Sequence, residues 1–374
     1  MTEYFATVAP GLEPIAAGEL EQLGATDVRA ERSGVRFCGD RATLYRANLW
    51  GRTIFRILQP LREFPCANAD QLYQQIHGIE WEKYFSPAHT LAVRCTGSNA
   101  QLNHTHYSAL QVKNAIVDRQ LEVYGERSSV SPKQPDMAID LHIFRQRGTV
   151  SLDSSGGSLH RRGYRPAVGL APLKETLASA LIAMTEWEPG MAFCDPLCGS
   201  GTLVLEAGLR AANIAPGSYR SEFGFERWPD FDARLWQELC QESRDARTSD
   251  ASAPILGSDR EPEILAQAKD NARSCGLGDR VEFLCRDLSE VEAPADTGVL
   301  ICNPPYGKRI GDAQELGALY KQIGDTMKQR FKGWTAYVFT GNKELGKRIG
   351  LRCSRRIPVS NGSLPCTLMR YELY

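Results

Sequence analysis

The chain has 374 residues, enough at roughly 150 per domain for two to three domains with buried cores, which excludes a short peptide module or a disulfide-stapled miniprotein. Charged residues make up 24% and nearly cancel, 44 Lys+Arg against 45 Asp+Glu, so bulk charge points to neither a nucleic acid nor a membrane. Eleven cysteines scattered from Cys38 to Cys366, with no C-x-x-C pair, favour neither a disulfide framework nor a zinc cluster and fit a reducing cytoplasm. The start, MTEYFATVAPGLEPIAAGEL, lacks a basic region and a continuous apolar stretch. No apolar run reaches about 18 residues either, so the expectation is a cytoplasmic protein that begins near Met1 and crosses no membrane.

The first half reads as short strands alternating with helices. Residues 4–8 suit a strand, 11–24 a helix with Leu12, Ile15, Leu20 and Leu23 near the helical period, and 35–38 a strand after the Ser33-Gly34 turn. A second group follows: strand 53–61, helix 70–77, strand 90–96, a long helix 106–124, and alternating apolar residues over 137–144 leading through Gly148 to 150–152. The pattern predicts two small α+β units, 1–52 and 53–155. Residues 154–172, SSGGSLHRRGYRPAVGLAP, then turn rich in Gly, Ser, Pro and Arg, and a connector is expected over 156–171.

From residue 172 to 374 the pattern becomes regular. Helix 173–187 leads to strand 192–194 and helix 202–212, strand 255–258 to helix 262–275, and strands 281–284 and 299–302 to helix 314–331. Strand 335–340 and a hairpin through Ile357 and 366–373 close the chain. Repeated βα units predict an α/β domain with a doubly wound, mostly parallel sheet, in which ligands sit at the carboxyl ends of the strands.

Each of those strand ends carries a motif. The first runs into Asp195-Pro196-Leu197-Cys198-Gly199-Ser200-Gly201-Thr202 and a helix; Gly199 and Gly201 let backbone approach a ligand, and the helix start offers free N–H groups to an adenosyl ligand. The dinucleotide fingerprint G-x-G-x-x-G is not met, because its third glycine is replaced by Val204, which argues against a nicotinamide-dependent dehydrogenase. The second strand ends in Gly257-Ser258-Asp259-Arg260, where a carboxylate can accept both ribose hydroxyls or simply cap the next helix. The third delivers Asp287, suited to an adenine amino group or to a turn. The fourth ends in Asn303-Pro304-Pro305-Tyr306-Gly307, the most specific signal in the chain. Its prolines hold the backbone extended and donate nothing, so the Asn303 amide oxygen and the Pro304 carbonyl can both accept from one exocyclic amine, with Tyr306 stacked on the ring.

The segments 195–202, Asp259, Asp287 and 303–306 resemble class I S-adenosylmethionine-dependent methyltransferases that act on exocyclic or amide nitrogens. With the N-terminal half, the Arg-rich joint and Gly224-Phe225-Glu226-Arg227-Trp228-Pro229, nearly the whole chain resembles THUMP-domain 23S rRNA guanine-N2 methyltransferases. The resemblance implies a seven-stranded Rossmann-like methyltransferase sheet preceded by a ferredoxin-like unit and a THUMP RNA-binding unit. It implies S-adenosylmethionine held by Asp195, Pro196, Gly199, Gly201, Thr202, Asp259, Arg260 and Asp287. Methyl transfer to guanine N2 then falls to Asn303, Pro304 and Tyr306, with no metal and no covalent enzyme intermediate. The partner implied is 23S rRNA or a large-subunit assembly intermediate. Relatives that carry a second methyltransferase downstream need chain beyond Tyr374, so one transferase unit is expected here.

For RNA contact, the joint offers Arg145, Arg147, Arg161, Arg162 and Arg165 with Tyr164 among them, and a second basic group, Lys347, Arg348, Arg352, Arg355 and Arg356, lies near the C terminus. The near-zero total charge averages unlike regions: 211–300 carry 10 Lys+Arg against 18 Asp+Glu, and 341–374 carry 7 against 2. From the pocket residues alone, adenine N6, cytosine N4 and a protein glutamine remain open as acceptors. A noncatalytic RNA-binding assembly factor is the alternative of a different class. Phe225, Trp228 and Phe231 either cover the site or fill core.

Overall fold

A computed structural model describes residues 1–165, 173–248, 253–306 and 313–374. Residues 166–171 of the expected connector and Gly307 of the strand-end motif lie outside the described residues. In chain order the elements are β1 (Thr2–Thr7), α1 (Glu13–Gln22), β2 (Thr26–Glu31), β3 (Gly34–Gly39), α2 (Arg41–Trp50), β4 (Arg56–Pro65), α3 (Ala69–His77), β5 (Leu91–Ser98), α4 (Thr105–Tyr124), β6 (Met137–Phe144) and β7 (Arg147–Asp153). There follow α5 (Glu175–Ala183), β8 (Ala192–Asp195), α6 (Thr202–Ala211), α7 (Ala233–Asp245), β9 (Ile255–Asp259), α8 (Pro262–Ser274), β10 (Glu282–Cys285) and β11 (Gly298–Cys302). The last are α9 (Ala313–Arg330), β12 (Thr335–Thr340), α10 (Lys343–Arg348), β13 (Arg355–Asn361) and β14 (Leu364–Glu372). No helix among the described residues is long and apolar enough to cross a membrane.

The first half forms one seven-stranded sheet in the order β2-β3-β1-β4-β7-β6-β5. Strand β4 pairs with β1 on one side and β7 on the other, so the two α+β units share a sheet rather than standing apart. The second half forms another seven-stranded sheet, β10-β9-β8-β11-β12-β14-β13. Strands β8 to β12 run parallel and β14 and β13 add antiparallel pairings, so the sheet is mixed. Strands β8, β9 and β11 are buried along nearly their whole length, which is why they read as continuous apolar runs.

Three helices and one strand escaped the hydrophobic pattern. Helix α2 is capped by Asp40, whose carboxylate accepts the Thr43 N–H at 2.8 Å, but it buries Thr43, Leu44, Tyr45, Ala47, Asn48 and Leu49 and so shows no polar face. Helix α7 lies in a polar-rich stretch after the insertion, α10 is six residues long, and β2 is an exposed, largely polar edge strand.

The aromatic insertion fills core. Phe225 stacks on Tyr45 of α2 with centroids 4.2 Å apart and meets Trp236 of α7 edge-on at 5.1 Å. Trp228 is buried as well. Polar contacts follow the same seam: the Tyr45 hydroxyl accepts the Asp232 N–H at 3.0 Å, and Asn48 Nδ2 donates to the Ser154 hydroxyl at 2.9 Å. The two halves of the chain are thus packed together through α2, the segment after β7, and α7.

Candidate active site

The carboxyl ends of β10, β9, β8 and β11 lie side by side, in that order. At about 4.8 Å per strand they span roughly 14 Å, enough for an extended nucleoside with a second group beyond it. The register aligns Cys285 with Asp259, Asp195 with Gly257 and Leu300 with Cys194, which brings the four strand-end motifs to one edge of the sheet.

The loop after β8 is glycine-dependent for two different reasons. Gly201 has φ +84°, and a Cβ there would lie 2.9 Å from the Phe283 ring and 3.2 Å from Ala268 Cβ, so packing from below forbids a side chain. Gly199 has φ +53°, yet a Cβ there would meet only Ile264 Cδ1 at 3.6 Å, so the loop surface at Gly199 is open. No side chain caps α6, and its first-turn N–H groups remain available to a ligand.

Asp195, Pro196 and Thr202 sit beneath this surface. The Asp195 side chain is buried, its Oδ1 accepting the Leu197 N–H at 3.1 Å, and burial pushes its carboxyl up to about 8. Pro196 gives its carbonyl to the Ser258 hydroxyl at 3.3 Å, and the Thr202 hydroxyl accepts from Arg165. These three shape the loop from inside. Burial also holds the Cys194, Cys198 and Cys302 thiols well above their ordinary range, so none of them offers a thiolate beside Asp195.

Asp259 stands at the loop's open side. Its Oδ2 accepts the Gly199 N–H at 3.0 Å and its Oδ1 the Glu261 N–H at 3.1 Å. Asp287 is exposed and accepts from Ser289 N at 3.0 Å, from the Ser289 hydroxyl at 2.6 Å and from Gln322 Nε2 of α9 at 2.9 Å. These donors hold its carboxyl below the usual range. Arg260 points outward and pairs with Glu261 at 3.3 Å.

At the end of β11 the Asn303 amide oxygen is buried and has no hydrogen-bond partner. A buried carbonyl left unpaired is costly, on the order of 1–3 kcal/mol, and such an atom at a strand end is an acceptor awaiting a donor. Pro304 beside it is buried. The Tyr306 ring is set by elements far away in sequence. Asn361 Nδ2 donates to its hydroxyl at 3.0 Å, Phe339 meets it edge-on at 6.2 Å, and only a glycine at 341 leaves room for it, since a Cβ there would lie 2.8 Å from the ring. Sequence reading missed Asn361, Gly341 and Gln322, and only their proximity in the fold reveals them.

The expected cluster of RNA-contacting residues in the joint divides. Arg162 and Tyr164 are 2% and 1% exposed, so the RNA contacts expected of them do not hold. Arg162 donates to the carbonyls of Gly51 and Leu159 at 3.0 Å and pairs with Glu206 at 3.3 Å, and the Tyr164 hydroxyl donates to Glu206 at 3.0 Å. Arg165 is likewise turned inward, to the Thr202 hydroxyl and, at 3.4 Å, to Glu175. These three bolt the joint to the helix that follows the glycine loop. Arg145, Arg147 and Arg161 are exposed, but they are not neighbours. Arg145 and Arg147 occupy the β6–β7 turn, and the seven residues of β7 place them about 20 Å from the segment that holds Arg161. The C-terminal basic residues are exposed, with Arg355 and Arg356 at the start of β13 and the Tyr306-contacting Asn361 at its other end.

Residues 162–370, more than half of the chain, match the RMKL-like methyltransferase domain family. The chain belongs to that family. Upstream, residues 3–58 match the RlmL ferredoxin-like domain and residues 66–153 the THUMP domain. A Synechocystis protein that carries an RNA methyltransferase name is 57% identical over 371 residues, 99% of this chain and 97% of that one. A Syntrophotalea carbinolica protein named ribosomal RNA large subunit methyltransferase K/L is 41% identical over 99% of this chain, and the chain spans about half of its length, 53%. Among solved structures, a Listeria monocytogenes protein named as an N6-adenine-specific DNA methylase superposes with TM-score 0.87 at 32% identity, covering 100% of this chain and 96% of that one. A methyltransferase solved with S-adenosylhomocysteine superposes with TM-score 0.89 at 31% identity, over 100% and 98%.

Proposed function

We propose that this methyltransferase moves a methyl group from S-adenosylmethionine to the exocyclic N2 amine of a guanine in 23S rRNA, giving N2-methylguanosine. The observation that carries the reading is the buried, unpartnered Asn303 oxygen at the end of β11, one strand from the open face at Gly199. Bound at that face, S-adenosylmethionine supplies an electrophilic methyl on sulfur. The N–H groups at the start of α6 and the Asp259 carboxylate would hold its nucleoside, with Asp287 at the adenine end and Asp195 keeping the loop in shape.

Asn303 Oδ1 and the Pro304 carbonyl accept the two hydrogens of the target amine. That amine is a poor nucleophile because its lone pair is delocalised into the ring. Two acceptors on its hydrogens favour a pyramidal nitrogen, aim the lone pair, and stabilise the positive charge that grows as the bond to carbon forms. Tyr306 stacks on the base, which must be unpaired or turned out of a helix to reach this edge. Water can take the proton afterwards, so no dedicated base is assigned.

In this reading residues 1–52 and 53–155 capture RNA, as free 23S rRNA or an assembly intermediate in the cytoplasm, and 172–374 carry out the transfer. The K/L names and the THUMP match support RNA as the acceptor, and the Listeria structure's name favours adenine N6 as a second reading of the same pocket. Incubation of the chain with labelled S-adenosylmethionine and unmodified rRNA, followed by digestion to nucleosides, separates them. Label in N2-methylguanosine is expected, and label confined to N6-methyladenosine or to protein overturns the assignment.

A further inference from the structure

A second cleft, of about 300 Å³, opens at the joint between the two halves of the chain. Three distant segments line it: Lys133 before β6, Arg161 and Gly163 after β7, and Arg220, Glu222 and Arg227 in the insertion. Four cations therefore face one carboxylate. Glu222 is already taken by Arg227, which also donates to the Pro135 carbonyl at 3.2 Å and so ties the insertion to the loop before β6. Lys133 and Arg161 are exposed and make no ion pair among the described residues.

Arg220 forms the floor. Its guanidinium donates to the carbonyls of Ser158, Arg161, Ser155 and Gly157 at 3.2, 2.9, 3.0 and 3.3 Å, lies over the Phe223 ring, and leaves its buried Nε unpartnered. Carbonyls orient this cation without neutralising it, and burial lowers its pKa to about 10. Arg220 is hydrogen-bonded only to carbonyls, and the two carboxylates near it, Asp153 and Glu222, are paired with Arg56 and Arg227, so with Lys133 and Arg161, unpaired among the described residues, the cleft carries an excess of positive charge. The chain ties the cleft to the active site: Gly163 is two residues, about 7 Å of chain, from Arg165, whose guanidinium reaches the Thr202 hydroxyl at the start of α6.

We propose that this cleft binds a phosphodiester of the RNA strand whose base enters the pocket at Asn303, with Lys133 and Arg161 contacting the phosphate and Arg220 fixing the cleft floor. The proposal rests on the RNA reading above and adds the place where the strand is gripped. It is tested on the full chain with Lys133→Glu/Arg161→Glu, both exposed positions, against Lys328→Glu/Lys332→Glu, which changes total charge equally at exposed positions where α9 ends. Binding of unmodified rRNA is titrated between 50 and 300 mM salt, and cofactor affinity is measured by calorimetry as a check on the fold. The first pair is expected to weaken rRNA binding and to lower the slope of log K against log salt by about 0.7, as the loss of one neutralised phosphate on a single strand requires, while the control pair leaves the slope in place. An unchanged slope in the first pair, or an equal fall in the control, overturns the cleft as the phosphate site. Failure of the unaltered chain to bind or methylate rRNA would instead overturn the RNA reading itself.

Discussion

Arg162 and Glu206 form an ion pair at 3.3 Å with side chains only 2% and 0% exposed, where the segment after β7 meets α6. Glu206 also accepts from the Tyr164 and Ser179 hydroxyls, and its charge acts on the neighbouring Arg52, whose pKa burial lowers to about 10. Glu206 thus meets the Arg162 guanidinium directly and, together with Glu19, offsets the charge of Arg52. Glu206→Ala would strand Arg162, a loss expected at about 3–5 kcal/mol by analogy with broken buried pairs, whereas Glu206→Gln keeps an acceptor and should lose less. Denaturant midpoints at constant m check this, and a loss below about 1 kcal/mol for Glu206→Ala would show that the pair does not hold the joint.

Removing the unpartnered acceptor should act on chemistry alone. Asn303→Ala is expected to lower single-turnover methyl transfer by about 10²–10³, the scale seen when one preorganised polar group is lost from a transition state. Calorimetric titration with S-adenosylmethionine should give nearly the parent affinity, since the open face of the loop lies at Gly199. Near-native transfer by this variant would remove Asn303 from the mechanism.

The strand-end motifs were legible because parallel strands bury continuous apolar runs and end at short, compositionally odd loops. Asp195 to Thr202, Asp259 and Asn303 to Tyr306 could be located that way. What surrounds them could not. Asn361 at the end of β13 and Gly341 just after β12 support Tyr306, and the adjacency of those elements depends on the crossover order of the sheet, which local pattern does not carry. Arg162 and Tyr164 misled for a related reason. A glycine-rich, arginine-rich stretch reads as a solvated linker until the fold supplies a buried carboxylate from α6, and Glu206 lies more than forty residues away.

The Tyr306 ring position can be tested through its glycine neighbour. A Cβ at position 341 would lie 2.8 Å from ring atoms Cδ2 and Cε2, so Gly341→Ala must displace the ring. Transfer should fall while the fold persists. Tyr306→Phe removes only the hydroxyl that accepts from Asn361, an expected stability loss of about 0.5–1.5 kcal/mol, and keeps the stacking face. Values of kcat/KM for rRNA should therefore drop further in Gly341→Ala than in Tyr306→Phe. The reverse order would assign the role of Tyr306 to its hydroxyl rather than its ring.

Asp195 gives a pH dependence with a definite sign. Its carboxyl has an ordinary value of 3.8 when unfolded and about 8 in the fold, raised mainly by burial. Between those values the folded chain holds a proton that the unfolded chain releases, so this group's contribution to stability declines as pH rises from about 4 to about 8. Asp195→Asn imitates the protonated form and retains an oxygen for the Leu197 N–H, now at 3.1 Å from Oδ1. The variant should therefore melt higher than the parent at pH 8, with the difference shrinking towards pH 5. Thermal melts at the two pH values read this directly, and a difference that is constant or grows on acidification would mean that Asp195 is ionised beneath the loop.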